Sequence, residues 1–404
     1  MISVSDIQAV HTLIRPHIIR TPLVHSPTLS AMAGAEVFLK LEVMQKGGSF
    51  KVRGALAHVL SRKDEIGPAG VVAASAGNHA QGVALAARLA GVPATVVMPE
   101  WASVSKQAAT RAYGAEVILR GRTLEESLEH ARELAAEGRT MVHAYDDPLV
   151  IAGQGTIGLE ILQDLPEVDQ VIVPVGGGGL IAGIATALWG KKPGVRVTGV
   201  QAAACPSAVE ALRAGKPVTV ESRPTLADGI RVRRVGELAF PVLRDLVDQV
   251  VLVDEDAIAD AMVLLLERKK VLAEGAGAAP LAALLSGSAR VTPGSRVVLV
   301  VSGGNLDMPL LERVIRRGLA RTGRVLHLTV TIDDAPGTLA SMLSVIGTCG
   351  GNILHIHHGR GDPGIGVSSV RLDLVIETRG PDHSRVIREV LGRRGYSVAG
   401  RGWP

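Results

Sequence analysis

Short apolar runs alternate with longer amphipathic stretches between about residues 36 and 304. The apolar runs have strand length and predict buried strands: EVFLKLE, GVVAAS, ATVVMP, EVILR, QVIVPV, RVTGV, QVVLV and RVVLVVS. Between them, stretches such as HAQGVALAARLA and AIADAMVLLLERKK have helical periodicity and length. Strands separated by helices predict an α/β fold with mainly parallel sheets. Because the strands carry few polar positions, we expect both faces of the sheets to be covered.

The pattern changes near Gly318. After an Arg-rich connection, the chain reads strand, helix, strand, strand, helix, strand, with the segments VLHLTVTI, TLASMLSVIGTCG, NILHIHH, VSSVRLDLVIE, SRVIREVLGRR and YSVAG. This βαββαβ order is ferredoxin-like. The pattern therefore predicts a first domain over 1–320 and a second over 321–404.

Composition narrows the class of protein. The 404 residues suit two or three domains, and 47% apolar residues supply a sizeable core. Aromatic residues are only 2% and the net charge is only +4, which disfavours a nucleic-acid binder. The uncharged segment 170–190 is long enough for a membrane span, but Pro174 and a glycine run favour a buried strand, a turn and a helix. Two cysteines predict no disulfide framework, so we expect a cytoplasmic protein without membrane segments.

Three polar, glycine-rich segments follow apolar strands: Ser75–His79, Gly176–Leu180 and Ser302–Asn305. Ligands of open parallel sheets bind outside the carboxyl ends of the strands. The three segments could therefore converge on one ligand.

The glycines at 176–179 can bring backbone N–H groups close to a phosphate, and the helix that follows adds its N-terminal dipole. A plain tight turn is the alternative. A dinucleotide site is disfavoured, because the next strand, RVTGVQ, ends in Gln201 rather than in the acid that this fingerprint requires. The pattern favours a lone phosphate.

Lys51 lies in GGSFKVRGA, among small residues and Phe50. Most lysines are simply solvated, but a desolvated amine in this setting could form a Schiff base. A phosphate turn together with an imine-forming lysine indicates pyridoxal 5'-phosphate (PLP) as the cofactor.

Several motifs carry a family resemblance: SFKVRGA, SAGNHAQG, DDPLVIAGQGTIGLEI, GGGGLIAG, LADGI, AEGAGAAPLAAL and SGGN. Their order over residues 21–307 resembles the threonine/serine dehydratases, which are PLP enzymes of the tryptophan-synthase-β-like fold (PLP fold type II). The resemblance implies a two-lobed catalytic domain with a smaller lobe inserted at roughly 46–146. The tail resembles an ACT regulatory domain through DDAPGTLASML and GGNILHIHH. Together, the two parts resemble the ACT-containing threonine ammonia-lyases.

The resemblance implies roles for individual residues. Lys51 would hold PLP and act as the base at Cα, Phe50 would pack on the ring, and Ser75 with neighbouring amides would receive the substrate carboxylate. Asn78 would hydrogen-bond the ring hydroxyl, although a helix N-cap is an equally good local interpretation. The remaining cofactor contacts would come from Gly176, Gly177, Gly178, Gly179, Leu180, Ser302 and Glu274, the last of which has a structural carboxylate as its alternative.

Ser302 would face the ring nitrogen. A hydroxyl can donate to a neutral pyridine nitrogen but cannot balance a pyridinium. This favours β-elimination over chemistry that accumulates a full carbanion. In members of the family that racemise serine, a serine two residues before the ring-contacting asparagine serves the opposite face. That position is Ala76 here, which favours elimination over racemisation.

The implied reaction converts L-threonine to 2-oxobutanoate and ammonia, the first step of isoleucine synthesis, and L-serine to pyruvate. The alternatives are a serine or 3-hydroxyaspartate dehydratase, or an amino-acid sensor that binds PLP without turnover.

A branched-chain amino acid is the expected effector, with Asp334, Gly337 and Asn352 as its candidate site, and a homo-oligomer is expected. No metal is expected: Gln201 stands where metal-binding relatives have a glutamate, and the histidines at 355, 357 and 358 have no acidic or cysteine ligand nearby.

Overall fold

A computed structural model describes residues 2–360 and 366–400. The chain divides into two compact units, Met1–Asp307 and Met308–Pro404. In the described part of the chain, no helix is both long enough and apolar enough to cross a bilayer.

The first unit is an α/β structure. Its strands are β1 (Leu23–His25), β2 (Glu36–Leu41), β3 (Val71–Ala74), β4 (Ala94–Met98), β5 (Glu116–Leu119), β6 (Thr140–Met141), β7 (Gln170–Pro174), β8 (Arg196–Ala202), β9 (Gln249–Val253) and β10 (Arg296–Val301). Its helices are α1 (Val4–Ile14), α2 (Pro27–Ala33), α3 (Lys51–Ser61), α4 (Asn78–Ala90), α5 (Val104–Ala112), α6 (Leu124–Ala136), α7 (Pro148–Asp164), α8 (Gly179–Lys191), α9 (Ser207–Ala214), α10 (Ala239–Leu246), α11 (Glu255–Leu264) and α12 (Gly275–Leu285).

Two sheets organise this unit. The larger has the strand order β1-β2-β10-β7-β8-β9 and is parallel except for β1. The smaller has the order β5-β4-β3-β6 and is wholly parallel. The predicted α/β class and mainly parallel sheets are confirmed, and the smaller sheet lies within the segment expected for the inserted lobe.

The strand prediction differs from the structure at the sheet edges. The short strands β1 and β6 carry too little apolar pattern to be recognised in the sequence. Strands β3, β4 and β7 are buried along their whole length, as expected for covered strands. Strands β5 and β9 are partly exposed, because each lies at the edge of its sheet.

The second unit contains α13 (Met308–Arg321), β11 (Val325–Asp333), α14 (Thr338–Thr348), β12 (Asn352–Gly359), β13 (Ser369–Glu377), α15 (Pro381–Arg393) and β14 (Ser397–Gly400). After α13, the elements follow the predicted βαββαβ order, and the antiparallel sheet has the strand order β12-β13-β11-β14. Its core joins alternate residues of β11 and β13 to the apolar faces of α14 and α15. The amphipathic helix α13 contacts β11, so the division falls before this helix rather than near residue 321.

Four fully buried charges join the larger sheet to the helices behind it. The Arg53 guanidinium donates to both oxygens of Glu42, at 2.8 and 2.9 Å, and to both oxygens of Glu160, at 2.7 and 3.0 Å. Lys40 Nζ lies 2.6 Å from Glu160 Oε2. Burial opposes each charge, but the opposite charges outweigh it: they raise the pKa of Arg53 and lower the pKa of Glu160. The two positive and two negative groups carry no net charge together, so their attraction offsets much of the free-energy cost of removing them from water.

We expect Arg53→Met to destabilise the protein by about 3–5 kcal/mol, because it leaves two buried carboxylates without their main partner. Urea denaturation of the apoprotein, followed by circular dichroism, measures the change. Arg213→Met is the matched control: Arg213 pairs with Glu210 at the surface, and its loss should change the free energy of unfolding by less than about 1 kcal/mol. Equal effects of the two substitutions would contradict the assigned importance of the buried network.

Candidate active site

Three of the predicted site segments follow neighbouring parallel strands of the larger sheet. The segment that leads to Lys51 follows β2, Ser302 follows β10, and the glycine turn follows β7. Adjacent strands lie about 4.8 Å apart, so the three segments meet at one edge of the sheet. Two contacts join the first pair of segments: Phe50 N donates to Ser302 O at 3.1 Å, and Ser49 bridges to Gly303.

Lys51 is the first residue of α3 and is half-buried. Its Nζ donates to the Ala144 carbonyl at 2.8 Å and lies 5.2 Å from the centroid of the Phe50 ring. Desolvation lowers the pKa of Lys51 to about 8, and the negative charge of Glu274 offsets part of this effect. Lys51 is therefore an amine that can lose its proton near neutral pH, as a nucleophile or base must.

The glycine turn is closely packed against Tyr145. A Cβ on Gly177 would lie 2.3 Å from the Tyr145 ring, and Gly178 has a φ of 94°. Helix α8 begins at Gly179, and no side chain caps its first turn. Its N-terminal N–H groups can therefore bind an anion such as a phosphate. Since Ala144 accepts from Lys51 while Tyr145 packs on the turn, one loop places the amine beside the glycine turn.

Asn78 begins helix α4, but it does not cap it. Gly77 holds the N-cap position and no side chain caps the helix, so the N-cap interpretation of Asn78 is wrong. Instead, Asn78 Nδ2 donates to Glu274 Oε1 at 2.8 Å. Burial raises the pKa of Glu274 to about 8, and the nearby Asp228 adds to this effect. Because the Asn78 side chain is not used as a helix cap, its amide can bind Glu274 and so connect the segment after β3 to this glutamate.

The two site serines occupy different surroundings. Ser75 Oγ accepts from Gly77 N at 3.1 Å, which shapes the turn between β3 and α4. Ser302 is buried at the end of β10, where its carbonyl is bound by the segment before Lys51. Both lie in the strand-end segments that the sequence singled out.

Several residues that shape the site were not singled out from the sequence. Asn305 Nδ2 donates to Asn78 Oδ1 at 2.8 Å, and His79 Nε2 lies 2.9 Å from the Val142 carbonyl. Burial lowers the pKa of His79 to about 3, so this ring is neutral. Asn305 and His79 lie inside the quoted motifs SGGN and SAGNHAQG, but their partners are far away in the sequence.

Gln201 is buried and has hydrogen bonds at both ends of its amide. Its Oε1 accepts from Ala208 N at 2.8 Å, and its Nε2 lies 3.2 Å from Ser207 Oγ and 3.3 Å from the Val175 carbonyl. The amide thus joins the end of β8 to the residue before the glycine turn. Among the residues described by the structure, no cluster of three histidine, cysteine or acidic side chains is arranged to bind a metal.

The candidate effector residues lie in the second unit. Asp334 pairs with Arg360 through two contacts of 2.9 Å, and Asn352 Nδ2 donates to Glu377 Oε2 at 2.9 Å. Asn352 pairs with Glu377 at the end of the sheet where β11 begins. Asp334 follows the opposite end of β11, which has nine residues. The two are therefore separated by roughly 27 Å of strand. Gly337, with a φ of 88°, is the N-cap residue of α14 on the Asp334 side.

Comparison with known proteins finds a matching family and similar proteins. The sequence profile described as "Pyridoxal-phosphate dependent enzyme" matches residues 14–303. The "L-threonine ammonia-lyase" of Geobacter sulfurreducens is 48% identical over 400 residues, covering 98% of this chain and 99% of the relative.

Two solved structures are similar to this chain over about three quarters of its length. The threonine deaminase of "T.th." has a TM-score of 0.71 and 45% identity, and the match covers 76% of this chain and 99% of that one. Maize serine racemase has a TM-score of 0.74 and 38% identity, with 79% and 98% covered. The profile match, the similarity to these proteins and the lysine beside the glycine turn lead to one conclusion: the chain belongs to the family of pyridoxal-phosphate dependent enzymes.

Proposed function

We propose that the protein is a PLP-dependent lyase that converts L-threonine to 2-oxobutanoate and ammonia, and L-serine to pyruvate. The observation that carries this proposal is the amine of Lys51, desolvated and held beside the glycine turn. Near-full-length identity of 48% to an L-threonine ammonia-lyase supports threonine as the substrate.

The residues at the strand ends fit PLP. A side chain on Gly177 would clash with Tyr145, so only glycine fits there, and the first turn of α8 has no side-chain cap, so its N–H groups can bind the phosphate. When bound, PLP would supply an aldehyde that an amine can hold covalently and an electron-withdrawing ring that makes the Cα proton of the amino acid easier to remove. Lys51 would hold it, Phe50 would pack on its ring, Asn78 would bind its ring hydroxyl, and Ser302 would face its ring nitrogen.

Two side chains would act on the amino acid itself. The Ser75 turn, with its backbone amides, would bind the substrate carboxylate and fix the orientation of Cα. Because the pKa of Lys51 is lowered to about 8, part of this amine is neutral near pH 8 and can accept the Cα proton. The Ser302 hydroxyl can donate a hydrogen bond to a neutral ring nitrogen, but it is uncharged and cannot balance the positive charge of a protonated ring nitrogen. This favours loss of the β-hydroxyl.

Lys51→Ala should abolish both the visible absorption of the bound cofactor and the release of ammonia from L-threonine, because it removes the amine beside the phosphate turn. Absorption spectroscopy and an ammonia assay measure the two effects. Lys63→Ala, at a lysine just beyond the same helix, is the control and should change neither. A variant without Lys51 that keeps a borohydride-reducible chromophore would refute this assignment.

The similarity to maize serine racemase raises racemisation as a second activity of the same fold. Racemisation needs a proton-transfer group on each face of the planar Cα. Lys51 serves one face. The position that would serve the other is Ala76, whose methyl group packs against a hydrophobic cluster and cannot carry a proton. Elimination is therefore favoured.

We expect wild-type protein to form pyruvate and ammonia from L-serine with negligible D-serine. Ala76→Ser should raise the ratio of racemisation to elimination by about tenfold or more, since it adds a group able to transfer a proton. Chiral chromatography of the reaction mixture measures this ratio. D-serine formed by wild type at a rate close to that of pyruvate would contradict the prediction.

The residues proposed above for the cofactor and the substrate all lie in the first unit, so we infer for the second unit a regulatory role in which an amino acid binds it and biases the catalytic unit. Its βαββαβ order and the loop that ends at Gly337, the N-cap of α14, support this role. Binding at Asp334 would compete with its ion pair to Arg360. A cytoplasmic location and a homo-oligomeric state are part of the same proposal.

We expect isoleucine or valine to change the rate of threonine deamination by the full-length protein, and Asp334→Ala to weaken this response at least about fivefold, the scale of one allosteric coupling. Initial rates over a range of effector concentrations measure it. Asp382→Ala, which removes an exposed carboxylate of the same unit that pairs with Arg385, should leave the response intact. An enzyme indifferent to every branched-chain amino acid would refute regulation by this class.

Two alternative functions use the same residues. A serine or 3-hydroxyaspartate dehydratase would carry out the same β-elimination, and a sensor would bind PLP at the same site without turnover. The ratio of kcat/KM for the three amino acids separates the dehydratases. Ammonia release from any of them excludes the sensor.

A further inference from the structure

The Asn305 side chain joins two segments that come from different strands. Its Nδ2 donates one hydrogen bond to the Gly47 carbonyl at 2.7 Å and one to Asn78 Oδ1 at 2.8 Å. Gly47 lies in the segment that leads to Lys51, and Asn78 lies in the segment after β3. Both N–H groups of the Asn305 amide are thereby used.

The Gly47 carbonyl determines which way the Asn305 amide faces. A backbone carbonyl can only accept, so the NH2 end of Asn305 must point to it. The oxygen end lies against Gly48, where an added Cβ would come within 2.6 Å of Asn305 Oδ1. Asn305 therefore cannot turn its amide over without losing the bond to Gly47.

The orientation of Asn305 then determines the orientation of Asn78. Because an NH2 group can only donate, Asn78 must present Oδ1 to Asn305 and Nδ2 to Glu274. Glu274 alone could not impose this order. With a pKa raised to about 8, its carboxyl group can carry a proton near neutral pH and could then donate as well as accept.

We propose that Asn305 is a positioning residue that fixes the direction of the Asn78 amide, so that the second N–H of Asn78 is presented to the cofactor ring hydroxyl. This inference rests on the placement of Asn78 at that hydroxyl proposed above. An N–H donated to the ring oxygen would favour the ionised form of this oxygen, and with it the protonated form of the lysine-bound cofactor. The protonated form absorbs visible light, so the direction of the Asn78 amide has a spectroscopic signature.

Asn305→Asp is the decisive variant, because it keeps the shape of the side chain and removes both donors. Asn78 can then turn its NH2 group toward the introduced carboxylate and withdraw its N–H from the cofactor. We expect the ratio of visible to near-ultraviolet absorption of the holoenzyme to fall and the dissociation constant of PLP to rise about tenfold, the effect of one lost hydrogen bond of this kind. Absorption spectra and PLP titration of the apoenzyme provide both readouts.

Gln107→Glu is the matched control. It also replaces an amide that donates to a backbone carbonyl, Ala102 O at 2.8 Å, but on helix α5. We expect it to leave the absorption ratio and PLP affinity unchanged. The melting temperatures of the apoproteins separate a loss of structure from a change at the cofactor, since a purely structural role of Asn305 would lower the melting temperature without altering the absorption ratio.

An unchanged absorption ratio in the Asn305→Asp holoenzyme would overturn the inference. If that variant does not fold, Asn305→Ser removes the contact without adding charge and must show the same direction of change. Asn78→Ala separates the role of Asn78 at the ring hydroxyl from the positioning role of Asn305. If it leaves the spectrum unchanged, the placement of Asn78 at the ring hydroxyl fails; if it alters the spectrum and both Asn305 variants do not, only the role of Asn305 fails.

Discussion

The buried ion network of Lys40, Glu42, Arg53 and Glu160 is the interaction on which the catalytic unit depends most. It joins the end of β2 to helices α3 and α7, and Arg53 lies only two residues after Lys51. Charges removed from water are costly unless each has partners in good geometry. A displacement of α3 would break several short contacts at once, so the network holds the start of this helix in one place relative to the sheet.

The remaining site geometry follows from strand adjacency. Strands β2, β10 and β7 are neighbours and run in parallel, so the segments after them leave the sheet at the same edge. Backbone contacts such as Phe50 N to Ser302 O then bind one segment to the next. The smaller sheet contributes Asn78, which reaches Glu274 and Asn305 from the other lobe. Most of these restraints involve backbone atoms or short amides, which have little freedom to move.

Burial also adjusts the acid–base character of the site. Desolvation disfavours the charged forms of Lys51 and Glu274, so the pKa of each moves to about 8 from opposite directions. A lysine in water would stay protonated at neutral pH and could neither attack a carbonyl nor accept a proton. Groups with pKa values close to the working pH are typical of proton transfer. The same exclusion of water that costs stability therefore gives the amine its reactivity.

Local pattern alone predicted the buried strands, the βαββαβ tail and the glycine turn, because hydrophobic periodicity and runs of glycine are properties of neighbouring residues in the chain. The motifs also led to Lys51, Asn78 and Ser302. Sequence alone left the Asn78 N-cap and the role of Glu274 open, and it gave Asn305 no role of its own within the segment Ser302–Asn305. Those outcomes depend on bonds between distant positions, such as Asn305 to Gly47, 258 residues apart. Only the packing of parallel strands brings such groups within hydrogen-bonding distance, and so only the tertiary structure could decide their partners.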